Sequence, residues 1–262
     1  MENWIRNHDS FKNFANKDAL MKASEGFKTQ EFKNSTGLEA IGADKAYALG
    51  YSGENVNVAM IDKDLPYNKH KDLLGKVTLD EALFDYSGNH PTHVAGIIAA
   101  KKSNNNDILN MHGVAYNANI FAYHVLADIV KPNFVNVDSS ALIVNESFGP
   151  ENFLGETASI AQKSLNNDLV REGKLIIHAA GNMGKLEWKG LMNGYKEDTK
   201  NGFIGVSSIN SLVSSKSPKF LRYDTNLAGG LKKNFIVAPG NNINSTFPLN
   251  GYKTQDGTSV AA

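Results

Sequence analysis

From Val56 onward, short apolar runs alternate with stretches of helical spacing, and this alternation constrains the fold more than any other feature of the chain. Residues 56–61 (VNVAMI) predict a buried strand, and residues 92–101 a helix rich in small residues. Residues 119–126 (NIFAYHVL) and 141–145 (ALIVN) are a second and a third strand. Residues 155–172 show helical spacing through Ile160, Leu165, Leu169 and Val170, and residues 174–180 (KLIIHAA) are a fourth strand. Residues 203–209 and 235–238 are further strands. Strands alternating with helices predict an α/β fold, with a mainly parallel sheet flanked by helices. In such sheets the functional residues gather in loops past the carboxyl ends of the strands.

The chain before Val56 reads differently. Trp4, Ile5, Phe11, Phe14, Ala15, Leu20 and Met21 recur at loose helical spacing, and residues 28–37 (KTQEFKNSTG) are polar and read as irregular. A short helix is predicted over residues 43–49, stopped at Gly50. The expected organisation is an N-terminal helix and polar linker at 1–36, followed by one domain at 37–262. A chain of 262 residues is long enough to bury a substantial core in one domain.

Composition narrows the function classes. Lys plus Arg is 27 and Asp plus Glu is 27, so the basic excess expected of a nucleic-acid binder is missing. There is no cysteine, which rules out a disulfide scaffold, a zinc–thiolate site and a cysteine nucleophile. No apolar run approaches the roughly 20 residues of a membrane-spanning helix, so no transmembrane segment is expected. The opening residues, MENWIRNHDSFKNF, lack the basic-then-apolar pattern of a signal peptide.

The predicted strand ends carry a coherent set of groups. The first strand ends in Asp62, and the next helix is introduced by Asn89-His90-Pro91-Thr92. The third strand runs into Ser147-Phe148-Gly149, the fourth into Ala179-Ala180-Gly181-Asn182, and the chain closes on Asp256-Gly257-Thr258-Ser259. An acid, an imidazole, an amide and a hydroxyl are what acyl transfer from a peptide requires. A serine hydroxyl is a weak nucleophile until a base takes its proton, and imidazole is the natural base near neutral pH. A carboxylate orients the imidazole, and an amide aimed at the developing oxyanion stabilises it. Taken singly, each residue also has an ordinary reading: Asp62 as a loop residue or cap, Asn182 as turn chemistry, Ser259 as a helix cap. His93 follows His90 by three positions, but a metal pair on a helix is typically spaced by four with an acidic neighbour, so no metal site is expected and His93 reads as structural. His8, His70, His112, His124 and His178 read as surface or core residues.

Four blocks in order, VNVAMID, HPTHVAGIIAA, LIIHAAGNMG and DGTSVAA, resemble the subtilisin-like serine proteases, or subtilases, over residues 41–262. Two further segments, IGADKAYALGYSGENVNVAMID and TNLAGGLKKNFIVAPGNNINST, resemble the bacterial autotransporter subgroup. The resemblance implies a subtilisin-like three-layer sandwich and a serine endopeptidase working through an acyl-enzyme. It implies that Asp62 orients His90, that His90 is general base and acid, and that Ser259 is the nucleophile, in the Asp–His–Ser order known for subtilisin. Asn182 and the Ser259 N–H then form the oxyanion hole. Ser147, Phe148 and Gly149 pair with extended peptide substrate, and Ala179, Ala180 and Gly181 line the specificity pocket. No cofactor is required for such catalysis. The resemblance allows structural calcium, but no segment has a defined calcium-loop spacing, so its ligands stay unnamed. Protein or peptide substrates are the implied partners, and secretion or the bacterial cell surface the implied location.

The chain departs from the family pattern in three places. Pro91 stands where subtilases usually have glycine, and proline restricts the residue before it, so a displaced His90 imidazole is one expected consequence. Asp62-Lys63-Asp64 replaces the usual Asp-Ser/Thr-Gly, and the second carboxylate is expected to make His90 more basic. The sequence also stops three residues after Ser259, which reads as a domain lacking its C-terminal part. The family's helix between the second and third strands looks shortened at 128–140. Two alternatives follow: a catalytically impaired subtilase relative that binds extended peptides, and an unrelated α/β domain that binds a small ligand.

Overall fold

The computed structural model describes residues 17–80, 87–103, 109–124, 136–148, 156–184, 202–210, 220–228 and 233–262. Four short helices come first: α1 (Lys17–Glu25), α2 (Gln30–Asn34), α3 (Leu38–Ile41) and α4 (Ala43–Ala48). Then follow β1 (Asn57–Asp62), β2 (Leu65–Pro66), β3 (Val77–Leu79), β4 (Ser87–Gly88), α5 (Asn89–Ala99), β5 (Asn119–His124), β6 (Ala141–Glu146), α6 (Glu156–Arg171) and β7 (Leu175–Ala179). The last described elements are β8 (Phe203–Asn210), β9 (Phe220–Leu221), β10 (Phe235–Pro239), β11 (Ile243–Phe247), β12 (Gly251–Gln255) and α7 (Thr258–Ala261).

The main sheet runs β10-β8-β7-β6-β1-β5-β3, with every neighbour along this path parallel and β9 added antiparallel to β8. The uninterrupted apolar run of β1 follows from burial on both faces. Side chains of a strand alternate between faces, and β1 divides accordingly. Ala59 and Ile61 enter a core with Val144, Leu169, Ile176 and Phe203, on the side of α6. Met60 enters a second core with Val94, Ala95, Ala99, Ile120 and Ala122, on the side of α5. Helices thus cover both faces of a mainly parallel sheet, as the sequence predicts.

The small residues of α5 have a steric cause. The helix lies against β11, and a Cβ at Gly96 would sit 2.2 Å from Thr246 Oγ1 and 2.9 Å from the Thr246 nitrogen. The contact is sealed by hydrogen bonds: Ser245 Oγ donates to the His93 carbonyl (2.7 Å) and Thr246 Oγ1 to the Thr92 carbonyl (2.7 Å). His93 Nε2 faces the carbonyls of Ile243 (3.0 Å) and Lys253 (2.9 Å), so this buried imidazole is structural. The β11–β12 hairpin has no apolar run and is not predicted by the sequence pattern. Its one local signal is Asn250-Gly251, where Leu249 and Asn250 both take positive φ.

The amino-terminal region differs from the sequence expectation. Where an irregular linker is predicted at 28–37, the structure has α2, capped by Thr29 Oγ1 accepting from the Phe32 nitrogen at 3.2 Å. Phe32 is buried with Leu38, Ala43 and Tyr47, so one anchor inside a polar stretch suffices to fix a helix that periodicity could not reveal. Thr36 and Ser35 tie this segment to Asn242 and His112 of the main body. The predicted helix at 43–49 is α4. The apolar positions at 4–15 and most of 128–140 lie outside the described residues.

Replacing Gly96 with alanine is expected to lower stability by about 1–3 kcal/mol, because the atoms it would strike are held by hydrogen bonds and backbone. A urea midpoint equal to that of the parent protein would show that α5 and β11 are not in this contact.

Candidate active site

Asp62 is the last residue of β1 and its side chain is 1% exposed. One carboxylate oxygen, Oδ1, accepts from the Lys63 nitrogen at 2.7 Å. The other, Oδ2, lies 2.9 Å from His90 Nδ1. A carboxylate only accepts, so Nδ1 carries the proton and the neutral imidazole keeps its lone pair on Nε2. That is the tautomer a general base needs. The two residues meet because β2 pairs with β4, which draws the chain after β1 alongside the residues that open α5. Pro91 sits in the first turn of α5, where a missing N–H is tolerated, and it leaves the His90–Asp62 contact intact.

The hydroxyl and the amide arrive from other elements. Ser259 lies in the short α7 and Asn182 follows β7. Asn182 Oδ1 accepts from the Thr258 nitrogen (2.9 Å), and Thr258 Oγ1 accepts from the Gly181 nitrogen (2.9 Å). This reciprocal pair braces the two loops and leaves Asn182 Nδ2 as a donor. Gly257 has φ 151°, a region that other residues rarely adopt, and a Cβ there would lie 3.1 Å from Ser259 Oγ and 3.4 Å from Asn182 Nδ2. Ser147 Oγ donates to the Ser259 carbonyl at 2.9 Å, with Asn145 Oδ1 at 3.1 Å as a second acceptor.

A cleft of about 560 Å³ opens among these groups. Asp62, His90, Ser259 and Asn182 all line it, as do Ser147, Phe148, Ala179 and Gly181. Ala180 does not: it is fully buried behind the wall, and its carbonyl accepts from Asn226 Nδ2 at 2.9 Å. Gly149 lies outside the described residues. Sequence reasoning missed the bracing role of Thr258 and of Asn226, which also accepts from the Met183 nitrogen at 3.1 Å. It also missed Met183 and Asp256 on the cleft wall. Among the described residues, no group of three or more His, Cys, Asp or Glu side chains could hold a metal ion.

The model of the subtilase family matches residues 49–262. The chain belongs to the subtilase family. Subtilisin DY of Bacillus licheniformis is 30% identical over 238 residues, covering 86% of this chain and 79% of that protein. The major intracellular serine protease of Bacillus subtilis (strain 168) is 28% identical over 246 residues, covering 86% of this chain and 70% of that protein. An extracellular serine protease of Serratia marcescens is 38% identical over 139 residues, 48% of this chain. The match spans only 13% of that Serratia protein, and 12% of a second one. Among solved structures, a cold-adapted subtilisin-like serine proteinase superposes with a TM-score of 0.59 at 23% identity, over 80% of this chain and 72% of that one. A prenylagaramide maturation protease gives 0.61 at 22% identity, over 84% and 76%. The fold is thus subtilisin-like, and an unrelated α/β ligand-binding domain is excluded.

In this subtilase the His90 side chain is 38% exposed, whereas its Asp62 partner is enclosed. Burial pulls the imidazole pKa down. The hydrogen bond and the charge of Asp62 push it up by more, Lys63 opposes them, and Asp64 adds to the rise. The net result lies above the usual 6.5. A raised folded pKa adds stability that is fully present below the unfolded pKa and is lost as pH rises through the folded value.

In an NMR titration His90 is expected to change protonation above pH 6.5. Asp62→Asn should move that step to lower pH, and Asp64→Asn should move it the same way by less. Coincident curves for the parent protein and Asp62→Asn would show that the carboxylate does not act on the imidazole.

Proposed function

We propose that this subtilase is a serine endopeptidase that cleaves peptide bonds through an acyl-enzyme. The observation that carries the reading is the convergence of four groups in one cleft. Asp62 holds His90 in the Nδ1–H tautomer at 2.9 Å, and Ser259 and Asn182 are braced to each other across Thr258. Ser259 Oγ attacks the scissile carbonyl carbon while His90 Nε2 takes its proton. The carbonyl oxygen becomes an oxyanion, received by Asn182 Nδ2 and the Ser259 N–H. In subtilisin itself, loss of one such donor lowers kcat by roughly 10²–10³-fold. Enclosed Asp62 stabilises the imidazolium, which then protonates the leaving amine. Water, deprotonated by the same imidazole, hydrolyses the ester.

The substrate is an extended polypeptide. The segment after β6, at Ser147 and Phe148, forms one wall of the cleft, and Ala179 and Gly181 form part of the other. Pairing with such a wall draws affinity from main-chain hydrogen bonds, so the side-chain pocket alone sets sequence preference. Small residues at 179 and 181 leave that pocket roomy. The intact Asp62–His90 contact favours an active enzyme over an impaired peptide-binding relative. Among the described residues no helix is long and apolar enough to cross a membrane. The identity with the Serratia extracellular proteases favours a secreted or cell-surface location, although the Bacillus intracellular relative shows that family membership alone does not fix the compartment.

A fluorophosphonate probe is expected to label the protein expressed from its full reading frame, and Ser259→Ala should abolish the label. Asn182→Ala should slow it by about 10²-fold. A folded protein that takes up no label overturns the reading in favour of the peptide-binding relative.

A further inference from the structure

The wall of the cleft beside the imidazole carries charge that the proposed hydrolysis does not use. The described lining residues include three carboxylates, Asp62, Asp64 and Asp256, against one ammonium, Lys63. Asp62 accepts from the Lys63 nitrogen and from His90 Nδ1, and Asp256 Oδ1 accepts from the Asn242 nitrogen. Asp64 is half-buried, and no hydrogen bond or ion pair to another described residue engages its carboxylate. Lys63 beside it is exposed.

Asp64 is also held in place. The two residues after it form β2, which pairs with Ser87 and Gly88 of β4. A Cβ at Gly88 would meet Asp64 Cβ at 2.6 Å and Asp64 Oδ2 at 2.9 Å. The carboxylate therefore occupies the room that a side chain at 88 would take, two residues before His90. The imidazole feels it, since the charge of Asp64 adds to the rise of the His90 pKa. A carboxylate fixed on a cleft wall with its accepting capacity unspent can receive an ammonium or a guanidinium from a ligand. Lys63 acts on His90 more strongly than Asp64 does, so charge felt at a distance does not decide which ligand fits. Direct contact with the unengaged carboxylate does.

Which part of a ligand reaches Asp64 follows from the alternation of an extended chain. Under the protease reading, the substrate residue whose carbonyl is attacked (P1) turns its side chain toward Ala179 and Gly181. Successive side chains of an extended strand point to opposite faces. The residue before it (P2) therefore turns away from that pocket, toward His90 and Asp64. We propose that Asp64 is a specificity-determining residue that selects lysine or arginine at P2 of an extended substrate. The position P2 rests on the protease reading; the preference for a basic peptide does not.

The test uses the protein expressed from its full reading frame and a set of internally quenched peptides that differ only at P2, as Lys, Arg, Gln or Glu. Mass spectrometry locates the bond cleaved. The ratio of kcat/KM for Lys over Gln compares two substrates on one enzyme, so a change in His90 basicity cancels from it. The parent is expected to favour Lys or Arg over Gln by about tenfold, the weight of a hydrogen bond to a charged group. Asp64→Asn should bring the ratio to within about twofold of unity, and Lys63→Gln should raise it. Asp256→Asn should leave it within about twofold of the parent value. The assignment is overturned by a parent ratio near one, by a preference that survives in Asp64→Asn, or by an equal loss in Asp256→Asn. A preference that follows the residue after the cleaved bond overturns it as well. Binding of the same peptides to the Ser259→Ala variant, read by fluorescence anisotropy, needs no turnover. There Kd for the Lys peptide should be about tenfold below that for the Gln peptide, and a further Asp64→Asn change should remove the difference. If the parent cleaves none of the peptides and takes up no fluorophosphonate, the protease reading fails. The binding data then decide the basic preference, and equal Kd values overturn it.

Discussion

The cleft depends on β1 being paired along both edges and covered on both faces. Its parallel neighbours, β5 and β6, are reached by connections that leave in opposite directions across the sheet. Where neighbouring strands part in this way, a crevice opens at their carboxyl ends. Asp62 is the residue that β1 delivers into that crevice. A carboxylate so enclosed would be costly alone, and it is retained because the Lys63 nitrogen and His90 Nδ1 both donate to it. The same enclosure makes its hold on the imidazole stronger than a surface pair could provide.

The other half of the site is assembled without charges. Asn182 follows β7 and Ser259 stands in α7, and two hydrogen bonds, from the Gly181 nitrogen to Thr258 Oγ1 and from the Thr258 nitrogen to Asn182 Oδ1, fix the two segments together. Asn226 performs the same service behind Ala180 and Met183. Gly257 is needed twice over, for its φ of 151° and because a side chain there would crowd both the hydroxyl and the amide. The Asp62 carboxylate and the His90 imidazole are therefore placed by a strand end and a helix start, while the Ser259 hydroxyl and the Asn182 amide are placed by mutual bracing. The two halves face each other across the cleft, which brings together residues spread from 62 to 259.

What the sequence made legible follows the same division. The strands β1, β5, β6, β7, β8 and β10 and the helices α4, α5 and α6 are readable because their apolar residues recur with a strand or a helix period. The residue types of chemistry stand at their ends. The β11–β12 hairpin was not readable, because its inward residues include Ser245 and Thr246, which are buried by bonding to carbonyls of α5 rather than by apolarity. The linker predicted at 28–37 failed for the converse reason, since one phenylalanine and a threonine cap define α2 without any repeating pattern. Thr258 and Asn226 escaped because their work is to satisfy backbone groups, and nothing in residue type alone distinguishes that from an ordinary loop. Glu146 and His178 lie in strands whose patterns read as buried, and a buried acid next to a buried imidazole becomes visible only once the register is known.

The departures from the family pattern can be weighed on physical grounds. Proline in the first turn of a helix removes an N–H that has no partner inside the helix, and its restriction on the preceding residue has not parted His90 from Asp62. The Lys63-Asp64 loop introduces two opposite charges beside the imidazole, and their effects on it oppose each other. Gly88 makes room for the second of them, since a Cβ there would come within 2.6 Å of Asp64 Cβ. The glycine that the family usually keeps after its acid is missing here, but a close approach without a side chain is supplied by Gly88 from the facing segment. The position of His90 therefore rests on the β2–β4 pairing and on the start of α5, and the altered loop acts on its basicity rather than on its place.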